Sequence, residues 1–277
     1  MERLIDLHTH TTASDGSMNS KEIVRHAKEM GLCAIAITDH DTVEGIPEAL
    51  DEGKRIGIEV IPGVEISASY KPEMHILGYF TQETYVNIKD ILVQLRKNRD
   101  ERNPRIIAKL NEMGFNITLE EAEGEAGGNV LGRPHIAKVL IKKGYVKSME
   151  EAFEKYLASG KPAYFKKDKL IPEEGIQEII KAGGIPVLAH PVHLGLSLSQ
   201  LDDLLAALVP MGLKGIEAYY VDNTNDYTGK ILRLAIKHNM LVTGGSDFHG
   251  SLKSDIELGK GRGNLSVPFE LLEKLRK

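Results

Sequence analysis

Short apolar runs alternate with amphipathic stretches over the first third of the chain, and this alternation predicts a repeated β-then-α order. RLIDL reads as a strand, SKEIVRHAKEMG as a helix with Ser20 as N-cap and Gly31 as its stop, and CAIAIT as a second strand. IPEALDEGKRIG is a second helix, IEVIPGVEIS a third strand and EMHILGYF a further one. The strands are continuous apolar runs, as expected when both faces of a mostly parallel sheet are covered. From Val86 to Lys169 the texture becomes helix-rich and charged, with DILVQLRKNRDERNPRIIAKLNEMG and SMEEAFEKYLASG but no clear buried strand. The β/α alternation then resumes through IPVLAH, LKGIEAYY and MLVTGGSDFH and the helical stretches between them. The expected organisation is a barrel in two parts, 1–85 and 170–277, with a helical subdomain inserted at 86–169. No internal repeat or low-complexity tract interrupts it.

Polar residues crowd where the apolar runs stop: IDLHTH, AITDHD, PGVEIS, VLAHP and GGSDFH. In a β/α barrel the strand ends converge on the face that carries the active site, so residues far apart in sequence are expected to meet there. Six of the ten histidines fall in or beside such clusters, namely His8, His10, His40, His75, His190 and His249. Asp6, Asp15, Asp39, Asp41, Glu65 and Asp247 add carboxylates. A single strand-end histidine is usually structural, but six together point to a cation. His8 and His10, two apart on an extended strand, share a face, and two adjacent imidazoles are best kept neutral by a shared ion. Donors of this type without cysteine favour Zn²⁺, Mn²⁺ or Fe²⁺. Their number exceeds one coordination sphere and points to two or three ions sharing a bridging carboxylate, an arrangement that stabilises both the attacking and the leaving oxygen of a phosphate ester.

Composition narrows the partners rather than the chemistry. A formal net charge of -5 and a pI near 6.1 argue against coating of long duplex nucleic acid, which needs a basic face, and leave room for a small anionic ligand. Cys33, the single cysteine, lies in the apolar run LCAIAIT and reads as core filler. No apolar stretch reaches the ~20 residues of a membrane span, and MERLIDLHTH is not a signal peptide, so the cytoplasm is the expected compartment.

The set DLHTH, SDG, ITDHD, GVEIS, the histidine of MHILGY, AHP and SDFH, in this order, resembles the PHP (polymerase and histidinol phosphatase) superfamily. The resemblance implies an α/β fold, a distorted (β/α)7 barrel, with a trinuclear metal centre. One ion would take His8, His10, Glu65 and Asp247, a second Glu65, His75 and His190, and a third Asp15, His40 and His249. Glu65 would be the bridge, and a hydroxide between ions the nucleophile, which fits the lack of a GxSxG motif.

Asp15 stands where members resembling histidinol phosphatases carry histidine. With the insertion, it resembles the branch of 3′,5′-nucleoside bisphosphate phosphatases and 5′-to-3′ exoribonucleases. The implied reaction is removal of the 3′-phosphate from a nucleoside 3′,5′-bisphosphate, extending to short 5′-phosphorylated RNA. In VLGRPHIAKVL, Arg133 can grip a phosphate with its planar fork, and His135 can bond to it or protonate the leaving oxygen. The plainer role for Arg133 and Pro134 is to start a helix. Lys161, and less specifically Lys166 and Lys167, are further cationic candidates. Tyr164 or Phe165 could stack a base, packing against the barrel being the plainer role. His193 is placed to orient a ligand or phosphate, Asp6 to orient His8, and Asp39 and Asp41 to face elsewhere. His26 and His238 lie in amphipathic helices and read as surface residues. Two other readings compete: a phosphatase of another small monoester such as histidinol phosphate, opposed by Asp15 and the basic insertion, and a non-catalytic metal-binding platform, opposed by an intact ligand set.

Overall fold

Seven apolar runs form one sheet whose strands are hydrogen-bonded in chain order. The computed structural model describes residues 3–126, 131–165 and 169–276, and Lys166 and Lys167 lie outside them. The chain divides into two compact units, 1–92 with 169–277, and 93–168. The first contains β1 (Ile5–Asp6), α1 (Ser20–Glu29), β2 (Ala34–Ile37), α2 (Ile46–Ile56), β3 (Glu59–Ala68) and β4 (Met74–Tyr79). Then α3 (Lys89–Glu112) leads into the second unit, with α4 (Leu119–Ala126), α5 (Arg133–Lys142) and α6 (Met149–Ala152). The first unit resumes with α7 (Pro172–Lys181), β5 (Ile185–Leu188), α8 (Leu198–Leu208), β6 (Gly215–Tyr220), α9 (Asn225–Lys237), β7 (Leu241–Gly245) and α10 (Glu270–Leu275).

Parallel pairing joins β1 to β2, β2 to β3, β5 to β6 and β6 to β7. β4 runs antiparallel to both of its neighbours. The ends of the sheet approach each other: Leu7 donates to Gly244 O at 3.1 Å and Asp247 to His8 O at 2.9 Å. The sheet is thus a nearly closed, distorted α/β barrel. Its reversed strand has a consequence for the site. The parallel strands bring their C-terminal ends to one rim, whereas β4 brings its N-terminal end, and Ser67 near the end of β3 pairs with His75 near the start of β4. Beneath the rim, Ile5, Leu7, Ala36, Leu77, Tyr79 and Val187 belong to one buried apolar cluster.

Local signals account for the elements and for one misplaced boundary. The N-cap of α1 is Asn19 rather than Ser20: its side chain accepts from Lys21 and Glu22 N–H, and Glu22 reaches back to the Asn19 N–H. Gly57, at φ 71°, ends α2. In the second unit no strand occurs among the described residues, and α3 to α6 enclose Ile106, Leu110, Ile136, Leu140 and Leu157. Phe165 was expected against the barrel but packs on this helical core, with the Arg105 guanidinium 4.5 Å from its ring centroid. The turn over Lys161 and Tyr164, with Ala163 N–H donating to Tyr156 O at 3.0 Å, folds the segment back onto its own helices. No helix among the described residues is long and apolar enough to cross a membrane.

Asp6 pins the closing seam. Its fully buried carboxylate accepts from His8 N (3.2 Å), Ser246 N (3.0 Å), Ser246 Oγ and Gly259 N (2.8 Å). Burial pushes its pKa up in spite of these bonds. Asp6→Ala would leave several donors unsatisfied in the core and is expected to cost about 3 kcal/mol of unfolding free energy, read by urea titration. A loss below about 1 kcal/mol would show the seam to be held by packing alone.

Candidate metal centre

The strand ends converge on Glu65, which β3 places at the rim with 1% of its surface exposed. His8 and His10 follow β1, His40 follows β2, His75 lies in β4, and His190 follows β5. Around Glu65 Oε2 stand His8 Nε2 at 3.3 Å, His10 Nε2 at 3.2 Å and His40 Nδ1 at 3.1 Å. Around Oε1 stand His75 Nδ1 at 2.8 Å and His190 Nε2 at 2.9 Å. Asp247, after β7, brings Oδ1 within 3.1 Å of His10 Nε2 and 3.5 Å of His8 Nε2. Asp15 lies 3.6 Å from His10 Nδ1, 3.7 Å from His40 Nε2 and 3.4 Å from His249 Nε2. All nine residues expected from the sequence are therefore in one cluster.

Three groups have donor atoms within the span of a single ion: His8, His10, Glu65 and Asp247; His10, Asp15, His40 and His249; and His40, Glu65 and His75. The first matches the expected set. The second adds His10 to the expected trio, and the third has His40 where His190 was expected, although His190 Nε2 is 3.3 Å from His75 Nδ1 and shares Glu65 Oε1 with it. Buried atoms without a hydrogen-bond partner are concentrated here, including His8 Nε2, both His10 nitrogens, His40 Nδ1 and Glu65 Oε2. Lone-pair donors orphaned at a common centre are what a cation satisfies, so these residues fit divalent metal.

Outer contacts fix which nitrogen faces inward. His8 Nδ1 donates to Glu217 Oε1 at 3.0 Å, His75 Nε2 to Glu73 Oε1 at 3.2 Å, and His249 Nδ1 to Asp247 O at 2.7 Å. Each leaves the other ring nitrogen for the centre. Asp247 Oδ2 is held from outside by Tyr220 OH (2.9 Å) and Lys253 Nζ (2.8 Å), leaving Oδ1 toward His8 and His10. Sequence reasoning missed Glu73, Glu217, Tyr220 and Lys253. The available signal for Glu217 was a lone carboxylate inside the apolar run GIEAYY. Asp6 was expected to orient His8; its carboxylate bonds the His8 backbone N–H, with Ser246 and Gly259, and not the His8 ring. Regular strand geometry ends at Asp6, so its alternation is not carried on to the His8 ring. Asp39 faces away from the cluster and accepts from Thr11 N (2.7 Å), Thr11 Oγ1 (2.7 Å) and Ser14 Oγ (2.6 Å), bracing the loop from His10 to Asp15. Asp41 accepts from Ser67 N–H at 3.0 Å.

Charge in the cluster is tightly coupled. Burial opposes protonation of His8, but Glu217, Glu65 and Asp247 override it and raise its pKa well above the imidazole range. Burial likewise opposes protonation of His10, which Asp247 and Glu65 raise to about 9. Burial pushes His40 down to about 4 in spite of Glu65, with His10 adding repulsion. Burial would raise Glu65 and Asp247, yet their neighbouring imidazoles hold both well below the carboxylate range. The backbone is strained at the same places: φ is 22° at His190 and 54° at Asp247.

The cluster opens into a cavity of about 640 Å³ that His193 and Lys253 also line. His193 Nε2 lies 3.0 Å from Tyr220 OH and 3.2 Å from Asp222 Oδ2. Because the Tyr220 hydroxyl hydrogen goes to Asp247, the Tyr220 oxygen accepts from His193 Nε2. The remaining candidates belong to the second unit. Gly132 caps α5, Pro134 occupies its first turn, and His135 Nδ1 accepts the Gly132 N–H at 3.0 Å. Arg133 Nη1 donates to Leu157 O at 2.7 Å, with its guanidinium 5.2 Å from the Tyr164 ring centroid. Lys161 is exposed. His26 is partly exposed beside Glu29, and His238 pairs with Asp202 at 2.6 Å, both away from the cluster.

Comparison with known proteins gives this geometry a context. Residues 6–170 match the PHP domain family. The chain is 35% identical over 260 residues to the 5'-3' exoribonuclease Rnm of Escherichia coli, covering 93% of this chain and 88% of that one. It is 30% identical over 257 residues to a 3',5'-nucleoside bisphosphate phosphatase of Chromobacterium violaceum, covering 92% and 90%. A solved structure from Bifidobacterium adolescentis, assigned as a metal-dependent phosphoesterase, superposes with a TM-score of 0.73 at 29% identity, covering 99% of this chain and 95% of that one. The chain belongs to the PHP family and is a metal-dependent phosphoesterase.

Proposed function

We propose that the protein removes the 3′-phosphate from nucleoside 3′,5′-bisphosphates and cleaves nucleotides from the 5′ end of short 5′-phosphorylated RNA. The observation that carries the phosphoesterase chemistry is the set of orphaned imidazole and carboxylate donors around Glu65 at the floor of an open cavity. Support for a nucleotide substrate comes from Asp15 and from relatives named for acting on RNA and on nucleoside bisphosphates. A cavity of about 640 Å³ suits a phosphorylated ribose. We propose the cytoplasm as the compartment in which it acts.

His8, His10, Asp15, His40, Glu65, His75, His190, Asp247 and His249 would hold two or three divalent ions, drawn from Mn²⁺, Fe²⁺ and Zn²⁺, with Glu65 as the shared carboxylate. When bound, the ions supply positive charge that polarises a phosphoryl oxygen and makes water a competent nucleophile at neutral pH. The protein's own groups do the rest. Glu65 and Asp247 keep the charge of the cluster fixed in a desolvated setting, so little reorganises as charge develops on the phosphate. His193, held through Nε2 at the cavity wall, would orient the substrate. In the inserted subdomain, which we read as the substrate-binding part, the N–H groups of Arg133 not given to Leu157 form a fork for the 5′-phosphate. His135, with Nδ1 committed to the helix cap, offers its Nε2–H to the phosphate or the leaving oxygen, and Lys161 adds charge.

The reading is tested by comparing kcat/KM of the Mn²⁺-loaded protein on nucleoside 3′,5′-bisphosphates, short 5′-phosphorylated RNA and histidinol phosphate. The first two should lead by at least about tenfold, equivalent to about 1.4 kcal/mol of transition-state discrimination. A preference for histidinol phosphate would reject the nucleotide assignment. Chelation should abolish turnover and lower the melting temperature, because a ligand bound only by the folded state stabilises it. Glu65→Ala should behave as the chelated protein does, with no recovery when metal is restored. Arg133→Ala should raise KM for substrates carrying a 5′-phosphate roughly tenfold or more while leaving a generic aryl phosphate unchanged. An equal loss on both would assign Arg133 to the helix start alone.

A further inference from the structure

Glu217 lies in β6 where the pairing with β7 shifts register between Glu217 and Tyr219, a type of irregularity that re-aims a side chain. It is fully buried. Both carboxylate oxygens are engaged: Oε1 accepts from His8 Nδ1 at 3.0 Å, and Oε2 accepts the His190 backbone N–H at 2.7 Å. Among the described residues no lysine or arginine pairs with it, so its charge is matched through the His8 ring. His8 belongs to the most enclosed group of candidate ligands, whereas His190 stands on the other oxygen of Glu65 beside His75. One side chain from β6 thus reaches a residue after β1 and a residue after β5.

We propose that Glu217 is a positioning residue that couples the enclosed metal group to the side of Glu65 where His75 and His190 stand, by holding His8 as an Nε2 donor for the first and by pinning the backbone of His190 on the second. The inference rests on the nine-residue cluster being the metal centre. A carboxylate at Nδ1 keeps the proton on that nitrogen and leaves the Nε2 lone pair facing Glu65 and Asp247. At His190 the same carboxylate stabilises a backbone with φ at 22°, which a residue other than glycine adopts at a cost.

Glutamine separates these roles with almost no change of volume. The His190 N–H is an invariable donor, so the amide of Glu217→Gln must turn its oxygen there and present NH₂ to His8 Nδ1. That nitrogen then has to accept, and the ring proton moves to Nε2, where it opposes the ion. Glu217→Asp keeps two acceptors and the charge but is one methylene short.

The test is a Zn²⁺ titration of the full-length, metal-stripped protein against a chromophoric competing chelator, with bound metal counted by elemental analysis and folding followed by circular dichroism. Wild type should bind at least two equivalents. Glu217→Gln should fold yet bind the tightest equivalent 10–100-fold more weakly, the usual effect of removing an outer partner of a metal-ligating histidine, and Glu217→Asp should recover part of the loss. In the Zn²⁺-loaded wild type the His8 Nδ1–H, hydrogen-bonded to a carboxylate, should give a slowly exchanging downfield proton resonance that is missing in Glu217→Gln. A wild type that takes up no metal would overturn the assignment of the metal centre. A wild type that binds metal while Glu217→Gln matches it in number and affinity would overturn the role of Glu217 alone. Should Glu217→Gln fail to fold, Glu217→Asp decides: wild-type affinity for every equivalent overturns the proposal, and weakened binding by a folded protein supports it.

Discussion

Five imidazoles approach one buried carboxylate, and the rim of the barrel is organised around that approach. An ionised carboxylate with almost no exposure to water is tolerable only when opposite charge or strong donors surround it. Glu65 receives His8, His10 and His40 on one oxygen and His75 and His190 on the other, from residues associated with β1, β2, β4 and β5. None of these segments is near the others in sequence. Pairing of β1 to β5 in chain order gathers the imidazoles, and closure of the sheet adds Asp247 after β7, so the site depends on the register of β3 and on the seam held by Asp6. A slip of one residue in β3 would turn Glu65 to the opposite face and leave the imidazoles without a common partner.

Much of this arrangement was legible because polar residues ended apolar runs. His10, His40, Glu65, His190 and Asp247 all stood at such boundaries, and a barrel gathers strand ends whatever their distance along the chain. His75 broke the pattern by standing at the start of its run. The reversal of β4 supplies the reason, since an antiparallel strand presents its first residues to the rim where its neighbours present their last. Strand direction is set by the connection from β3 to β4, too short for a helical crossover, and that length could have been read. Other features had no comparable signal. Glu217 lies inside a strand and is aimed by a register shift, whereas Tyr220 and Lys253 act through Asp247 from outside the cluster. Asn19 displaced Ser20 as a cap because two neighbouring capping residues compete, and the one three positions before Glu22 completes a reciprocal pair.

Conformational cost is concentrated at the same residues. His190 and Asp247 take positive φ without being glycine, each immediately after or close to a strand end. Such positions persist where surrounding bonds over-determine them, and here they do: Glu217 holds the His190 N–H, while the Asp247 N–H donates to His8 O. Gly245 is demanded for a different reason. A methyl group there would lie 2.4 Å from His8 Cβ and N, so the approach of β7 to β1 that places His8 requires a residue with no side chain. The second glycine of TGGSDFH belongs to the geometry of the site as much as its aspartate and histidine do.

The three candidate groups share members in a ring: Glu65 links the first to the third, His10 the first to the second, and His40 the second to the third. A change at any of these three shared residues alters two groups at once. The groups nevertheless differ in access. His8, His10, Glu65 and Asp247 are all buried, whereas Asp15, His40 and His75 are partly exposed and line the cavity. A phosphate entering the cavity meets the exposed groups first, and the enclosed group reaches the cavity through Glu65 and Asp247, which line it. The division suits an enzyme that must hold one charge in place through many turnovers while exchanging substrate at another. It also explains why substrate preference is written so faintly in the cluster, since residues sharing their bonds around a ring have little freedom to vary with the substrate. Side chains bonded to only one member of the ring or to none, such as His193 and Lys253 at the cavity wall, are free of that constraint.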